Sequence, residues 1–244
     1  MPSHHLDGDT WLNQNWMFLG PFIGAFIMWR AFQTPKIVQN KLLLLAWALM
    51  PIYSIHQLEE HGYDLFGRRY AFIDYFFENV ATKTGISPEV FNTNFITFTN
   101  VVIVWLPFNA CALWAERSGD FIPVTMCWGI SFCNGALFHL IPALSNQQYN
   151  PGVAQALLIN IPVGVMFFRE LGKVYGQHAK RILFTAFIVG GPIVHGLLTL
   201  LPLKHVSDGL YGANTCKVLM VLEFAGILVL SSKLLASKPE LSKV

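Results

Sequence analysis

Residues 42–61 read LLLLAWALMPIYSIHQLEEH. From Leu42 to Ile55 the run is apolar. Four ionisable side chains, His56, Glu59, Glu60 and His61, then fall within six positions. A predominantly apolar stretch of about 20 residues matches the length that a helix needs to cross a bilayer. Ionisable groups at such depth cost several kcal/mol unless they are paired, hydrated or metal-bound, so they are rare and mark functional sites. In a helix His56 and Glu60 are four apart and His56 and Glu59 three apart, which puts all three on one face. His61 falls on another face, an interfacial position.

The rest of the chain has the same character. Of 244 residues 54% are hydrophobic and 12% are charged, against about 25% charged in an average soluble domain. With a mean hydropathy of +0.47, this is the composition of an all-α polytopic integral membrane bundle in a single domain. Seven apolar segments are drawn: Trp11–Phe32, Lys41–His61, Phe91–Ala115, Phe121–Leu144, Gly152–Glu170, Ile182–Leu203 and Thr215–Leu235. The first is the least regular, with Gly20, Pro21 and Gly24. Met1 to Asn15 lacks the basic region of a cleavable signal, so the first helix is expected to serve as its own membrane signal. The polar connection Gly62–Val90 contains an aromatic, helical-looking stretch, Tyr70–Thr82, read as an interfacial helix or lid. The four cysteines (Cys111, Cys127, Cys133, Cys216) form no CxxC pair and read as small membrane hydrophobes. A net charge of +2 with scattered Lys and Arg gives nucleic acid no footprint. The expected setting is the endoplasmic reticulum or plasma membrane, with membrane lipids as partners.

Orientation follows from the basic residues. With the N-terminus outside, the cytosolic side receives Arg30, Lys36, Lys41, Arg117, Arg169, Lys173, Lys180, Arg181, Lys233, Lys238 and Lys243, eleven of sixteen. The other side receives Arg68, Arg69, Lys83, Lys204 and Lys217. The excess of positive charge predicts N-terminus out and C-terminus cytosolic. In that frame His56–His61, Asn134 and His139, His195, Asn94, Asn100 and Glu223 all fall in the outer half, and Tyr149-Asn150-Pro151-Gly152 opens the fifth segment there. One shared cavity open to the outer side would collect polar groups from five helices at one depth. The blander readings differ by residue. His195 on an apolar helix suits helix–helix hydrogen bonding, as do Asn94, Asn100 and Asn134. Glu223, in VLMVLEFAGILVL, has no cation in its own helix and needs protonation or a partner across helices. His4, His5, His178 and His205 fall in loops and are given no role.

Three motifs in order, His56-Gln57-Leu58-Glu59-Glu60, Asn134-Gly-Ala-Leu-Phe-His139 and Tyr149-Asn150-Pro151-Gly152, resemble those of the HXXEE-domain membrane proteins. The resemblance implies a polar site inside a helical membrane domain, and an enzymatic one. A weaker likeness is to intramembrane glutamate proteases of the CAAX-processing type, which would use Glu59, Glu60, His139 and His195. The sequence departs from that pattern: no Arg follows Glu60 at the expected spacing, and position 199 is Thr.

Two chemistries suit these groups. In one, His56, Glu60 and one or both of His139 and His195 hold a divalent zinc or iron, and Glu59 is the general base on a bound water. In the other there is no metal, and a neutral carboxyl donates a proton while a His or second carboxylate accepts one, giving isomerisation, cyclisation or epoxide opening. The expected catalytic set is His56, Glu59, Glu60 and His139, with Asn134, Tyr149 and Glu223 behind them. The expected substrate is a lipophilic small molecule or lipid. A proton-coupled transporter or lipid-binding protein is the competing class, although transporters place their sites at the midplane between repeats, and no repeat is visible.

Overall fold

In a computed structural model, residues 10–235 are described. Lys238 and Lys243 of the charge count, and His4 and His5, lie outside them. The described chain is helical without a β-strand, its one pairing being an isolated bridge between Tyr63 and Arg69. The long helices are α1 (Trp11–Phe32), α2 (Lys41–Gly62), α3 (residues 71–84), α4 (Thr93–Ser118), α5 (Ile122–Asn146), α6 (Val153–Tyr175), α7 (His178–Ser207) and α8 (Ala213–Leu235).

Six of these, α2 and α4 to α8, are long and apolar enough to cross a membrane. Helix α1 has the length, 22 residues, but carries Asn13, Gln14, Asn15 and Arg30 and falls below the other six in hydropathy. It still lies along α2 and turns Phe22, Phe26 and Trp29 outward, each more than half exposed. Polar side chains set several helix starts. Thr10, Asn40 and Asn92 accept the backbone N–H groups of Asn13, Leu43 and Phe95, caps worth about 1 kcal/mol each.

Helix α5 is the hub, packed against α2, α4, α6, α7 and α8, and its Val124, Met126, Cys127 and Trp128 are fully buried. In a bilayer close packing of small residues substitutes for the hydrophobic drive that water would supply. The chain uses this twice. A Cβ on Gly20 or Gly24 of α1 would meet Ser54 Cβ at 2.8 Å or Pro51 Cα at 3.0 Å. A Cβ on Gly129 of α5 would sit 2.3 Å from the Ala186 carbonyl oxygen of α7, and one on Gly190 would sit 2.3 Å from the Gly129 backbone. At the far end from the site, Arg30 of α1 pairs through both terminal nitrogens with Glu116 of α4 at 2.8 and 3.0 Å, and Trp47 Nε1 donates to the same carboxylate at 2.9 Å.

The apolar segments drawn from sequence are extended by polar turns that remain helical. α7 runs from His178 to Ser207, so His178 and His205 are at helix ends and not in loops. The aromatic stretch is a helix, α3, with Asp74 and Glu78 exposed and Ile73, Tyr75 and Phe76 buried.

Helical hydrogen bonding loosens to the i→i+5 pattern in Leu58–Gly62, Phe77–Ala81, Thr99–Trp105, Asn134–Leu140, Ala156–Asn160 and Val189–Leu200. Such π turns are rare and recur at functional sites. They change which residues share a face. In an α-helix positions five apart diverge by about 140°, whereas a wider turn brings Asn134 and His139, and His56 and His61, toward a common side.

Candidate functional site

Glu60 is the centre. His139 Nε2 lies 2.9 Å and His56 Nε2 3.4 Å from Glu60 Oε1, and His61 Nε2 lies 3.5 Å from Glu60 Oε2. All four side chains are buried, His56 and His139 completely. Their surroundings are aromatic. The Tyr53 ring centre is 5.4 Å from that of His56, Trp16 and Tyr70 flank His61 at 5.6 Å each, and Phe72 of α3 is 5.8 Å from His61 and 5.6 Å from His139.

The tautomer of His139 is set from behind. Asn150 Nδ2 donates to the Phe138 carbonyl at 2.8 Å, which turns Asn150 Oδ1 toward His139 Nδ1 at 2.9 Å. An oxygen there requires Nδ1–H as donor. The neutral ring then presents its Nε2 lone pair to the Glu60 carboxylate, and two lone pairs at 2.9 Å repel unless a positive centre lies between them. Distance without hydrogen-bond geometry is what the site has: His139 Nε2 and both nitrogens of His56 are buried and make no hydrogen bond. One ligand atom each from His56, Glu60 and His139 lies within 4.8 Å of the other two. Bonds of about 2.0–2.1 Å to a tetrahedral zinc put ligand atoms about 3.3 Å apart, near the 3.4 Å between His56 Nε2 and Glu60 Oε1. An imidazole whose far nitrogen donates to a side-chain oxygen is the usual supported metal ligand. Two imidazoles and a carboxylate therefore fit a divalent zinc or iron.

Glu59 has a different environment. Its carboxylate accepts Tyr149 O–H at 2.7 Å and the backbone N–H groups of Ala154 and Gln155 at 3.2 and 2.7 Å. Those amides begin α6, where a negative charge is favoured. Tyr149 also accepts the Leu65 N–H at 3.3 Å. Burial, and then the hydrogen bond to Glu59, raise the Tyr149 hydroxyl above its usual pKa.

The Asn150–Gly152 turn closes the back of the site. Gly152 has φ +100°, and a Cβ there would lie 2.8 Å from His56 Cε1, 2.9 Å from His139 Cε1 and 3.0 Å from Glu60 Cγ. No other residue type fits the backbone and the space together.

In front lies a cavity of about 470 Å³ whose walls include Glu60, His61, Asn134 and His195 among aromatic and aliphatic side chains. His195 is not one of the converging three. Its Nδ1 donates to the Gly190 carbonyl at 2.5 Å, its Nε2 faces Asn134 Nδ2 at 3.5 Å, and its ring stacks on Phe138 at 4.2 Å. Glu223 is not brought to the site. It points from the exposed face of α8, while its neighbour Phe224 lines the cavity, because one residue turns a helix by about 100°. Asn100 joins Gln57, which also accepts Trp105 Nε1 at 2.5 Å, and Asn94 joins Lys217. These three are helix-to-helix links.

Residues 47–167 match a family described as "Protein of unknown function with HXXEE motif". The chain belongs to that family. The matched region contains all three motifs, so the HXXEE signature includes His56, Glu59 and Glu60, and Asn134–His139 and Tyr149–Gly152 fall within the same domain. Among curated proteins and among solved structures the chain has no match.

Three participants were not assigned from sequence. His61 is beside Glu60 because the π turn Leu58–Gly62 brings it there, and hydropathy carries no sign of that turn. Asn150, the variable position of the Tyr-x-Pro-Gly motif, orients His139. Gly152 makes room for the site, which a Pro-Gly pair signals only as a turn.

Proposed function

We propose that this HXXEE protein is a membrane-embedded enzyme acting on a lipophilic small molecule, with Glu60, His56 and His139 as its reactive centre. The observation that carries the reading is the unpaired convergence of His56 Nε2 and His139 Nε2 on Glu60 at the wall of an apolar cavity. Buried polar atoms without partners are costly, and a site that keeps them has a use for them. Glu60 and the two histidines would hold a zinc or iron, which supplies Lewis acidity and an acidified water when bound. His61, on the second oxygen of Glu60 and exposed to the cavity, is placed to accept or deliver a proton. Asn134 and His195 form a polar pair in the cavity wall that would orient a substrate oxygen. Glu59 and Tyr149 anchor the turn that carries Asn150 and Gly152, and act by positioning. The aromatic helix α3 keeps water out, which strengthens electrostatic interactions inside.

We place the N-terminus and the site on the lumenal or extracellular side, with α1 as a seventh crossing, on the Lys/Arg split. A second reading keeps the same residues without metal. The 2.9 Å approach of His139 to Glu60 supports an acid–base pair sharing one proton, suited to isomerising or cyclising an apolar molecule.

The test is elemental mass spectrometry on protein purified in mild detergent, beside His56→Ala, His139→Ala and Glu60→Gln. About one zinc or iron per chain, lost in all three folded variants, is expected. Folded wild-type protein that holds no metal and takes up neither ion on addition would overturn the metal reading and leave the acid–base pair.

A further inference from the structure

The lid helix presents one continuous stripe to the cavity: Phe72, Tyr75, Phe76, Asn79, Val80 and Lys83. They share the face that lines the cavity, across the π turn Phe77–Ala81. At about 1.5 Å per residue the stripe runs roughly 16 Å from Phe72 to Lys83. Its Phe72 end touches the His61 and His139 rings. At the other end Lys83, exposed at the helix terminus, still lines the cavity. The cavity is therefore elongated, and its two ends differ in chemistry. One holds Glu60, His61 and Asn134, and the other holds a cation. The walls are mainly apolar, with Phe95 and Ile96 of α4, Ile130 of α5, and Val194 and Leu200 of α7, and are interrupted by Thr99, Asn100 and Thr199.

Lys83 differs from the other basic residues of this side. Arg68 pairs with Asp64, and Lys204 with Asp208. Arg69 donates to the Gln14 carbonyl and Asn15, and Lys217 to Asn94. Among the described residues no ion pair involves Lys83. Lys204 stands close by, 3.5 Å from where a Cβ of Gly85 would be, with its own charge balanced by Asp208. A cation without a carboxylate, at the mouth of an apolar channel, complements an anionic head attached to an apolar chain.

We infer that the cavity binds a single-chain amphiphile with an anionic head, a carboxylate or a phosphate, held at Lys83. Its chain lies under α3 and brings a position roughly 16 Å from the head to Glu60. The inference rests on the proposed function for what happens at Glu60, but the binding mode does not need turnover. It divides recognition from chemistry: Lys83 selects the head, and the channel length selects the reacting position. Access would be sideways, between α3 and the end of α5, where Asn146 Nδ2 meets Tyr75 O–H at 3.5 Å and Ile141 is half exposed.

Equilibrium binding of radiolabelled hexadecanoate, hexadecyl phosphate and hexadecanol to full-length protein in nanodiscs of neutral lipid tests this. At least one of the two anions is expected to bind about fivefold or more tightly than the alcohol, and the preferred anion identifies the head. Lys83→Met should abolish that preference and leave hexadecanol unchanged. Val194→Trp, which fills the channel, should weaken all three. The binding readout needs neither metal nor turnover, so a failure of the metal experiment and a failure of this one are told apart. Equal binding of anion and alcohol by wild type, a preference that survives Lys83→Met, or no binding of any probe to protein with an intact melting transition would each overturn the inference.

Discussion

Gly152→Ala is the sharpest probe of the site's construction because it adds one methyl group at a known place. The new Cβ would stand 2.8 Å from His56 Cε1, 2.9 Å from His139 Cε1 and 3.0 Å from Glu60 Cγ. Ordinary carbon contacts are about 3.5–4.0 Å, so three groups must each retreat by about 0.5–1 Å. The backbone adds its own term, since φ is +100° and a left-handed conformation costs an alanine about 1–2 kcal/mol. Overpacking a filled interior costs about 1–3 kcal/mol. The sum, about 2–5 kcal/mol, corresponds to a melting temperature lower by about 4–20 °C at the 2–4 °C per kcal/mol of chains this size. Relief by displacing the rings moves the cost to the centre, where about 1 Å of misplacement weakens function about a hundredfold. The assay is thermal unfolding in detergent together with metal stoichiometry. The control is Gly172→Ala in α6, where a Cβ meets nothing within 4 Å and a helical alanine is favoured by about 1 kcal/mol. Gly152→Ala protein that melts with Gly172→Ala and binds metal equally would refute the described packing of the turn against His56, His139 and Glu60.

The two adjacent glutamates should separate in their effects. Glu59→Gln should destabilise by about 1.5–3 kcal/mol, by weakening hydrogen bonds to a charged acceptor, yet keep the bound metal. Glu60→Gln should keep the fold and lose the metal, and identical behaviour of the two would contradict their different environments. Tyr149 gives a pH signature. Its folded pKa is raised, so its contribution is fully present below the unfolded value near 10 and is lost as pH rises from there through the folded value. Melting temperature in the wild type should therefore fall more steeply above about pH 10 than in Tyr149→Phe, and parallel curves would remove Tyr149 from the account. Gly190→Leu should abolish assembly of the bundle, read as loss of a monodisperse detergent-solubilised species, because its Cβ position is 2.3 Å from the Gly129 backbone.

The helices were legible because their signal is local. Twenty apolar residues and an Asn or Thr at the start are one-dimensional facts, and α1, α2 and α4 to α8 follow from them. That the three motifs meet was legible too, since counting residues from each helix end puts them at similar heights along α2, α5 and the start of α6. What the sequence could not convey is rotation about each helix axis. His61 was read onto another face by treating every turn as α, and Glu223 into the shared cavity from its depth alone. The π turn at Leu58–Gly62 brings His61 beside Glu60, and the ordinary α-helical register of α8 points Glu223 outward. Hydropathy is indifferent to both.

The same reasoning explains why two neighbouring carboxylates can share a membrane interior. If Glu59 and Glu60 faced one pocket, ionising one would oppose ionising the other. The structure sends them to separate partners. Glu59 meets two backbone N–H groups at the start of α6 and the Tyr149 hydroxyl, so its charge is held by fixed dipoles. Glu60 meets three imidazoles and no amide. An anion held by backbone dipoles is fixed in place as an acceptor, because two of its donors are main-chain amides. An anion facing imidazoles has partners that gain and lose protons or bind metals. The HxxEE spacing thus uses its first glutamate to fasten the Tyr149–Gly152 turn over the second. The turn in return supplies Asn150 to orient His139, and Gly152 to leave the space in which His56, His139 and Glu60 meet. Swapping the two roles would require α6 to begin on the other side of α2, which is why the order of the three motifs along the chain and the chemistry of the site are one constraint.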